Sequence, residues 1–180
     1  MTDGVSAVGV ALERQGKYAE AETFHRRALA ILETALGSEH ADIARELYWL
    51  ASVAERKGDY ALAEQISVRS LAMMEATLGP GHSDTASPLT VLGKARVGQA
   101  NAAGARAAAE RALAIRELKL GNDHPATADA LHVLARVCEL EGNPAAARKL
   151  YERGLAIRES RLGSSHPDTA ESRTALAQLR

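Results

Sequence analysis

Apolar and polar positions along this chain follow the 3, 4 spacing of helical faces, not the strict alternation of half-buried strands. Between Asp42 and Lys57, the apolar residues Ile43, Leu47, Leu50, Ala51 and Ala54 fall on one face, which predicts an amphipathic helix. Gly58-Asp59 breaks it. A second helix is expected from Tyr60 to Leu78, with Ala63, Ile66, Ser70, Leu71 and Met74 inward and Gly79 as its stop. Gly16-Lys17 and Gly142-Asn143 are breakers of the same kind. The chain opens in a helix from Val5 to Gln15 and ends in another from Thr169 to Arg180.

The pattern repeats. Leu-Gly occurs at Leu36-Gly37, Leu78-Gly79, Leu120-Gly121 and Leu162-Gly163, each 42 residues after the one before. Three residues past each glycine stands a histidine: His40, His82, His124 and His166. Leu29, Leu71, Leu113 and Leu155 keep the same step, as do the glutamates Glu33, Glu75, Glu117 and Glu159. Block 78–119 matches block 120–161 at 19 of 42 positions without a gap, so the blocks arose by duplication. Such periodicity marks a repeat array.

Each block reads as two helices joined by a break. Asp84-Thr85, Thr127 and Asp168-Thr169 are the expected N-caps, with Pro125 and Pro167 just before the starts. The third block deviates: Ala100 replaces the breaker glycine, and Ala102 to Ala109 is nearly all small residues and arginine. Its second helix is expected to be the least stable. Pro88 falls near the first turn of that block's first helix, where proline is tolerated.

A single helix hairpin cannot bury its apolar face, so neighbours must stack on it. The expected fold is therefore all-α: antiparallel helix pairs in one solenoid. Four pairs span about 1–35, 36–77, 78–119 and 120–161, and a capping segment occupies 162–180.

Composition narrows the function. Lys and Arg total 22 against 23 Asp and Glu, a net charge of -1, so the basic excess of most nucleic-acid binders is missing. No nucleic-acid partner is expected. Cys138 is the only cysteine, which excludes an intrachain disulfide and any cysteine-based metal site. The apolar stretch Val5 to Leu12 has no basic start, and no run reaches membrane-spanning length. A cytoplasmic protein without a membrane partner is the expectation.

Leu120-Gly121-Asn122-Asp123-His124-Pro125-Ala126-Thr127-Ala128, with Tyr18 to Glu22 and Arg26 to Ile31, resembles the 42-residue tetratricopeptide repeat of kinesin light chains and many bacterial proteins. The resemblance covers essentially the whole chain. It implies a right-handed superhelical solenoid whose first helices line a concave groove and whose second helices face outward. It also implies a role in holding peptides or partner proteins without chemistry. In this repeat class the first helix often carries adjacent asparagines that grip a peptide backbone. The matching pairs here are Ser6-Ala7, Tyr48-Trp49, Thr90-Val91, His132-Val133 and Thr174-Ala175, none of them asparagine.

Candidate chemistry is sparse. The four periodic histidines sit one per repeat, about 10 Å apart at helix-packing distance, too far to share one zinc. They are read as ordering the loops, and no metal or other cofactor is expected. Cys138 occupies a packed register and reads as a buried thiol. No nucleophile, base and orienter converge, so no catalytic residue is assigned. The outer arginines Arg27, Arg69, Arg111 and Arg153 and the periodic glutamates form two ladders; a basic ladder could touch nucleic acid, but the two are read as solvent-exposed surface charges, some pairing between repeats at little net energy.

The groove carries the functional expectation. Helical projection turns Arg45, Tyr48, Trp49, Ser52, Glu55 and Arg56 of the second repeat toward it. Thr90 and Lys94 join from the third, Asp129, His132, Arg136 and Glu139 from the fourth, and Thr174 and Gln178 from the end helix. Lys94 and Arg136 occupy one register and form a stacked pair of cations suited to an acidic side chain or terminal carboxylate. Either Tyr48 or Trp49 is an anchor candidate; adjacent helix residues point about 100° apart. The expected function is a non-catalytic scaffold for a protein or peptide partner, acidic where it meets Lys94 and Arg136. The alternative is a peptide-sensing module acting on a separate output protein. The open repeat ends offer a route to self-association.

Overall fold

The computed structural model describes residues 2–37 and 39–179. Nine α-helices are found among them: α1 (Thr2–Arg14), α2 (Tyr18–Leu36), α3 (Ala41–Arg56), α4 (Tyr60–Leu78), α5 (Ala86–Gly98), α6 (Ala102–Leu120), α7 (Pro125–Leu140), α8 (Pro144–Leu162) and α9 (Pro167–Gln178). With the short 3-10 turn at Ser83–Thr85, helix accounts for 84% of the described residues. No strand is present among the described residues, and no helix is long and apolar enough to cross a membrane. Arg180, the expected last helical residue, lies outside them.

Consecutive helices pair antiparallel and each pair stacks on the next, giving a superhelical solenoid. The first helices also pack directly on one another, α3 on α5 and α5 on α7, while the second helices diverge. That asymmetry curves the stack and places the first helices on its inner side. The core is continuous from pair to pair. Between α5, α6 and α7 it consists of Val97, Ala105, Ala109, Val133, Leu134 and Val137. Small residues let these backbones approach, as expected for the alanine-rich α6, which buries Ala105, Ala108, Ala109 and Ala112.

The helix starts correct one expectation. The periodic histidines, not Thr127 or Asp168-Thr169, are the N-caps of α7 and α9, as His40 is of α3; Thr85 does stand at the N-cap of α5 but makes no capping bond there. His40, His124 and His166 hold extended backbone just before α3, α7 and α9, and His82 does so before the short 3-10 turn Ser83–Thr85. The Nδ1 of each accepts the N–H two residues on (Asp42, Asp84, Ala126, Asp168) at 3.2 Å. An imidazole whose Nδ1 accepts carries its proton on Nε2. Thr127 and Thr169 lie inside the first turn instead, fully buried, and donate back to the loop carbonyls of Gly121 and Gly163. Pro125 and Pro167 begin their helices, where no N–H is needed. The recurrent loop motif is thus one device: a cap, a preset first residue and a tie back to the turn.

At the breaks within pairs, Gly16, Gly58 and Gly142 adopt positive φ, and so does Ala100, at 58°, the one non-glycine residue to do so among those described. On the outer face the two charge ladders interlock between repeats. Arg69 pairs with Glu33 at 3.4 Å, Arg111 with Glu75, and Arg153 with Glu117 at 2.6 Å. Arg173 of α9 then takes Glu159. Exposed pairs of this kind contribute little energy each, but they mark the register of the stack.

Candidate functional site

The first helices supply the inner surface because their second, polar stripe is left over once the apolar stripe faces its partner helix. A depression there is lined by Glu55 and Arg56 of α3, Lys94 of α5, His132 and Arg136 of α7 and Glu171 of α9. Arg136 stands 3.9 Å from Glu139, and Arg56 stands 4.0 Å from Glu55. Lys94 makes no ion pair within 4.0 Å among the described residues. Three cations (Arg56, Lys94 and Arg136) and three carboxylates (Glu55, Glu139 and Glu171) therefore share one shallow site.

His132 sits at the edge of that site, half-buried, its ring edge-on to Tyr151 with centroids 5.0 Å apart. Burial pushes the imidazole down to about 4, which leaves it neutral near pH 7. Its Nδ1 is buried and has no protein partner. Tyr151 is 1% exposed and donates to Glu139; burial first, then that carboxylate, raises its phenol well above the ordinary value.

The remaining expected residues are placed differently. Thr90 is 5% exposed and donates to the Ala86 carbonyl at 2.8 Å, so its hydroxyl is spent within α5. Arg45 is held by Asp42 at 2.7 Å, with Asp84 at 3.8 Å. Ser52 donates to Glu13 at 2.5 Å, toward the first repeat. Trp49 stacks over His25, centroids 6.0 Å apart and 11° from parallel, and Tyr48 tilts against it at 4.7 Å. Burial, then Glu13, pushes the Tyr48 phenol up to about 12. Thr174 donates to the Ala170 carbonyl at 3.0 Å, and Gln178 is exposed as the last residue of α9. Cys138 is buried, with an Arg106 N–H directed at its sulfur at 3.8 Å.

Two polar clusters escaped the sequence reading. Arg116 and Arg158, 42 residues apart, are buried at 6% and 4% exposure. Arg158 donates to the Asp168 carbonyl, to Ser172 Oγ and to Asp129 Oδ1, each at 2.8 Å. Arg116 donates to the Ala126 carbonyl and lies 3.9 Å from the same Asp129. Burial draws Arg116 below its ordinary value, and Asp129 opposes this. Asp129 thus bridges two repeats rather than standing free on the inner face. The signal was present: the equivalent residues are Leu32 and Met74, so an arginine recurs in an otherwise apolar register.

In the second cluster, His25 is wholly buried and meets Glu46 at 2.9 Å, while Ser6 donates to the other Glu46 oxygen. The serine engages the carboxylate and not the imidazole, and His25 Nε2 has no partner. Gly9 lies flat on that ring; a Cβ there would fall 2.6 Å from it. The cluster joins α1, α2 and α3. No group of three potential metal ligands occurs among the described residues.

Residues 42–117 and 96–160 match one sequence profile of the tetratricopeptide repeat, and residues 6–42 match a second. No curated protein matches the chain in sequence. Among solved structures, it is similar to a Podosopora anserina protein named for a kinesin light chain with nearly identical TPR-like repeats. There the identity is 24%, over 98% of this chain and 84% of that one, with a TM-score of 0.73. It is also similar to BtubC (BKLC) from P. vanneervenii, at 19% identity over 98% of this chain and 70% of that one, with a TM-score of 0.77. At these identities the likeness is one of fold.

Proposed function

The chain belongs to the tetratricopeptide repeat family and is on that ground a protein–protein interaction scaffold; we propose that it holds an extended segment of a protein partner along its first helices, with acidic side chains of that segment over Lys94, Arg136 and Arg56. The observation that carries this reading is Lys94, a half-buried ammonium with no ion pair among the described residues, flanked by two guanidinium groups whose own carboxylates stand at the edge of contact. Glu55 and Glu139 answer Arg56 and Arg136 from the edge of contact, whereas the Lys94 ammonium has no such partner among the described residues, so an incoming carboxylate gains most there. His132 stays neutral and supplies a flat edge beside them.

A peptide-display library selected on the wild-type chain tests this. Acidic segments should be enriched, and the Lys94→Glu/Arg136→Glu chain should lose that enrichment while its helicity and melting temperature stay unchanged. Enrichment of basic or purely apolar segments refutes the reading, as does acidic enrichment that survives charge reversal.

A further inference from the structure

The seam between α1 and α3 differs from the α3–α5 and α5–α7 seams. Those two are closed by apolar side chains: Val91 and Val133 occupy one register, and Val53, Ala95 and Val137 another, all at 8% exposure or less. In α1 those two registers hold Ala7 and Ala11, both exposed. A cleft of about 720 Å³ remains, with Val10 and Leu32 also in its wall and Arg45 and Glu46 on the α3 side. Gly9 is the one buried position among the described residues of α1, whereas α3 buries eight residues. Apolar packing therefore does little to hold α1 to α3.

Two reciprocal hydrogen bonds cross the gap instead. Ser6 of α1 donates to Glu46 of α3, and Ser52 of α3 donates to Glu13 of α1 at 2.5 Å. Each helix gives one serine and one glutamate. The second oxygen of Glu13 is buried without a partner. Hydrating that oxygen would relieve a desolvation cost, so the closed position is held by the two serines against a bias toward release.

We propose that α1 is a hinged wall, turning on the Gln15-Gly16-Lys17 break, that opens and shuts the cleft it shares with α3, with the Ser6–Glu46 and Ser52–Glu13 bonds as its latch. Elements with few buried apolar contacts open at low free energy while the rest of a structure stays folded. Because α1 lies beside α3 on the inner surface, its position sets the width of that surface there. This holds whether or not an acidic segment binds further along.

Hydrogen exchange resolved by mass spectrometry tests it on the full chain. In the wild type, α1 amides should exchange at least about tenfold faster than those of α3, the ratio that a difference of one charged hydrogen bond produces. Ser6→Ala/Ser52→Ala should speed α1 by a further factor of about ten and leave α5 to α8 unchanged. Acrylamide quenching of Trp49, the only tryptophan, should rise in parallel. Ala7→Val, which restores the side chain used at the later seams, should slow α1. Equal rates in α1 and α3 overturn the proposal, as does a double variant that leaves α1 unchanged. So does acceleration shared equally by α5 to α8, because α1 would then open only when the whole array unravels.

Discussion

Replacing Arg158 by methionine gives it the residue that the second repeat uses in the same register, Met74, and removes three hydrogen bonds at once. Hydrogen bonds to charged groups contribute roughly 1.5–3 kcal/mol each, but their sum overstates the loss. The Asp129 side chain is 37% exposed and recovers water when the guanidinium leaves. What stays dry is the Ser172 hydroxyl, in a residue 2% exposed. An unsatisfied buried group costs about 1–3 kcal/mol, and methionine avoids the desolvation that arginine suffers. The expected net loss is about 2–3 kcal/mol, concentrated in α9. Arg158→Met/Ser172→Ala should recover about 1 kcal/mol by removing the orphaned hydroxyl. Urea unfolding followed by circular dichroism measures the total, and exchange of α9 amides locates it. If Arg158→Met proves neutral or stabilising, the arginine's bonds merely repay its burial and the reasoning fails.

Two further outcomes follow from local geometry. Ala100→Gly should stabilise the chain by about 0.5–1 kcal/mol, because φ of 58° strains an alanine and suits the glycine used at the other breaks; an unchanged urea midpoint would count against this. His132 is lowered from 6.5 to about 4, so between those pH values the unfolded chain binds a proton that the folded chain refuses. Stability should therefore fall as pH drops from 6.5 toward 4, by about 3 kcal/mol in all, and His132→Phe should flatten that slope in urea titrations across the window.

The helices were legible because periodicity needs no knowledge of neighbours. Tyr60–Leu78 appeared with both ends in place, and the breaks at Gly58 and Gly142 were visible as residues. The caps were misassigned because threonine and aspartate are the usual capping types, whereas here the imidazole Nδ1 reaches the N–H first and threonine is left to tie the loop. Arg116 and Arg158 were missed because a charged residue reads as solvent-facing until the next repeat's carbonyls are in position to receive it. His25 was missed because its partner, Glu46, is 21 residues away and lies on the next helix pair. Thr90 was projected onto the groove, but it is buried and its hydroxyl satisfies its own helix.

The outer rungs have a consequence for length. Arg69–Glu33 and Arg153–Glu117 each span 36 positions along the chain, so every link is defined relative to its own unit and to no absolute place. Inserting or excising one whole unit would hand each remaining arginine a glutamate at that same offset, while any fractional change would leave a rung facing nothing. The molecule can thus grow or shorten in evolution by complete quanta, extending its reach without redrawing either face.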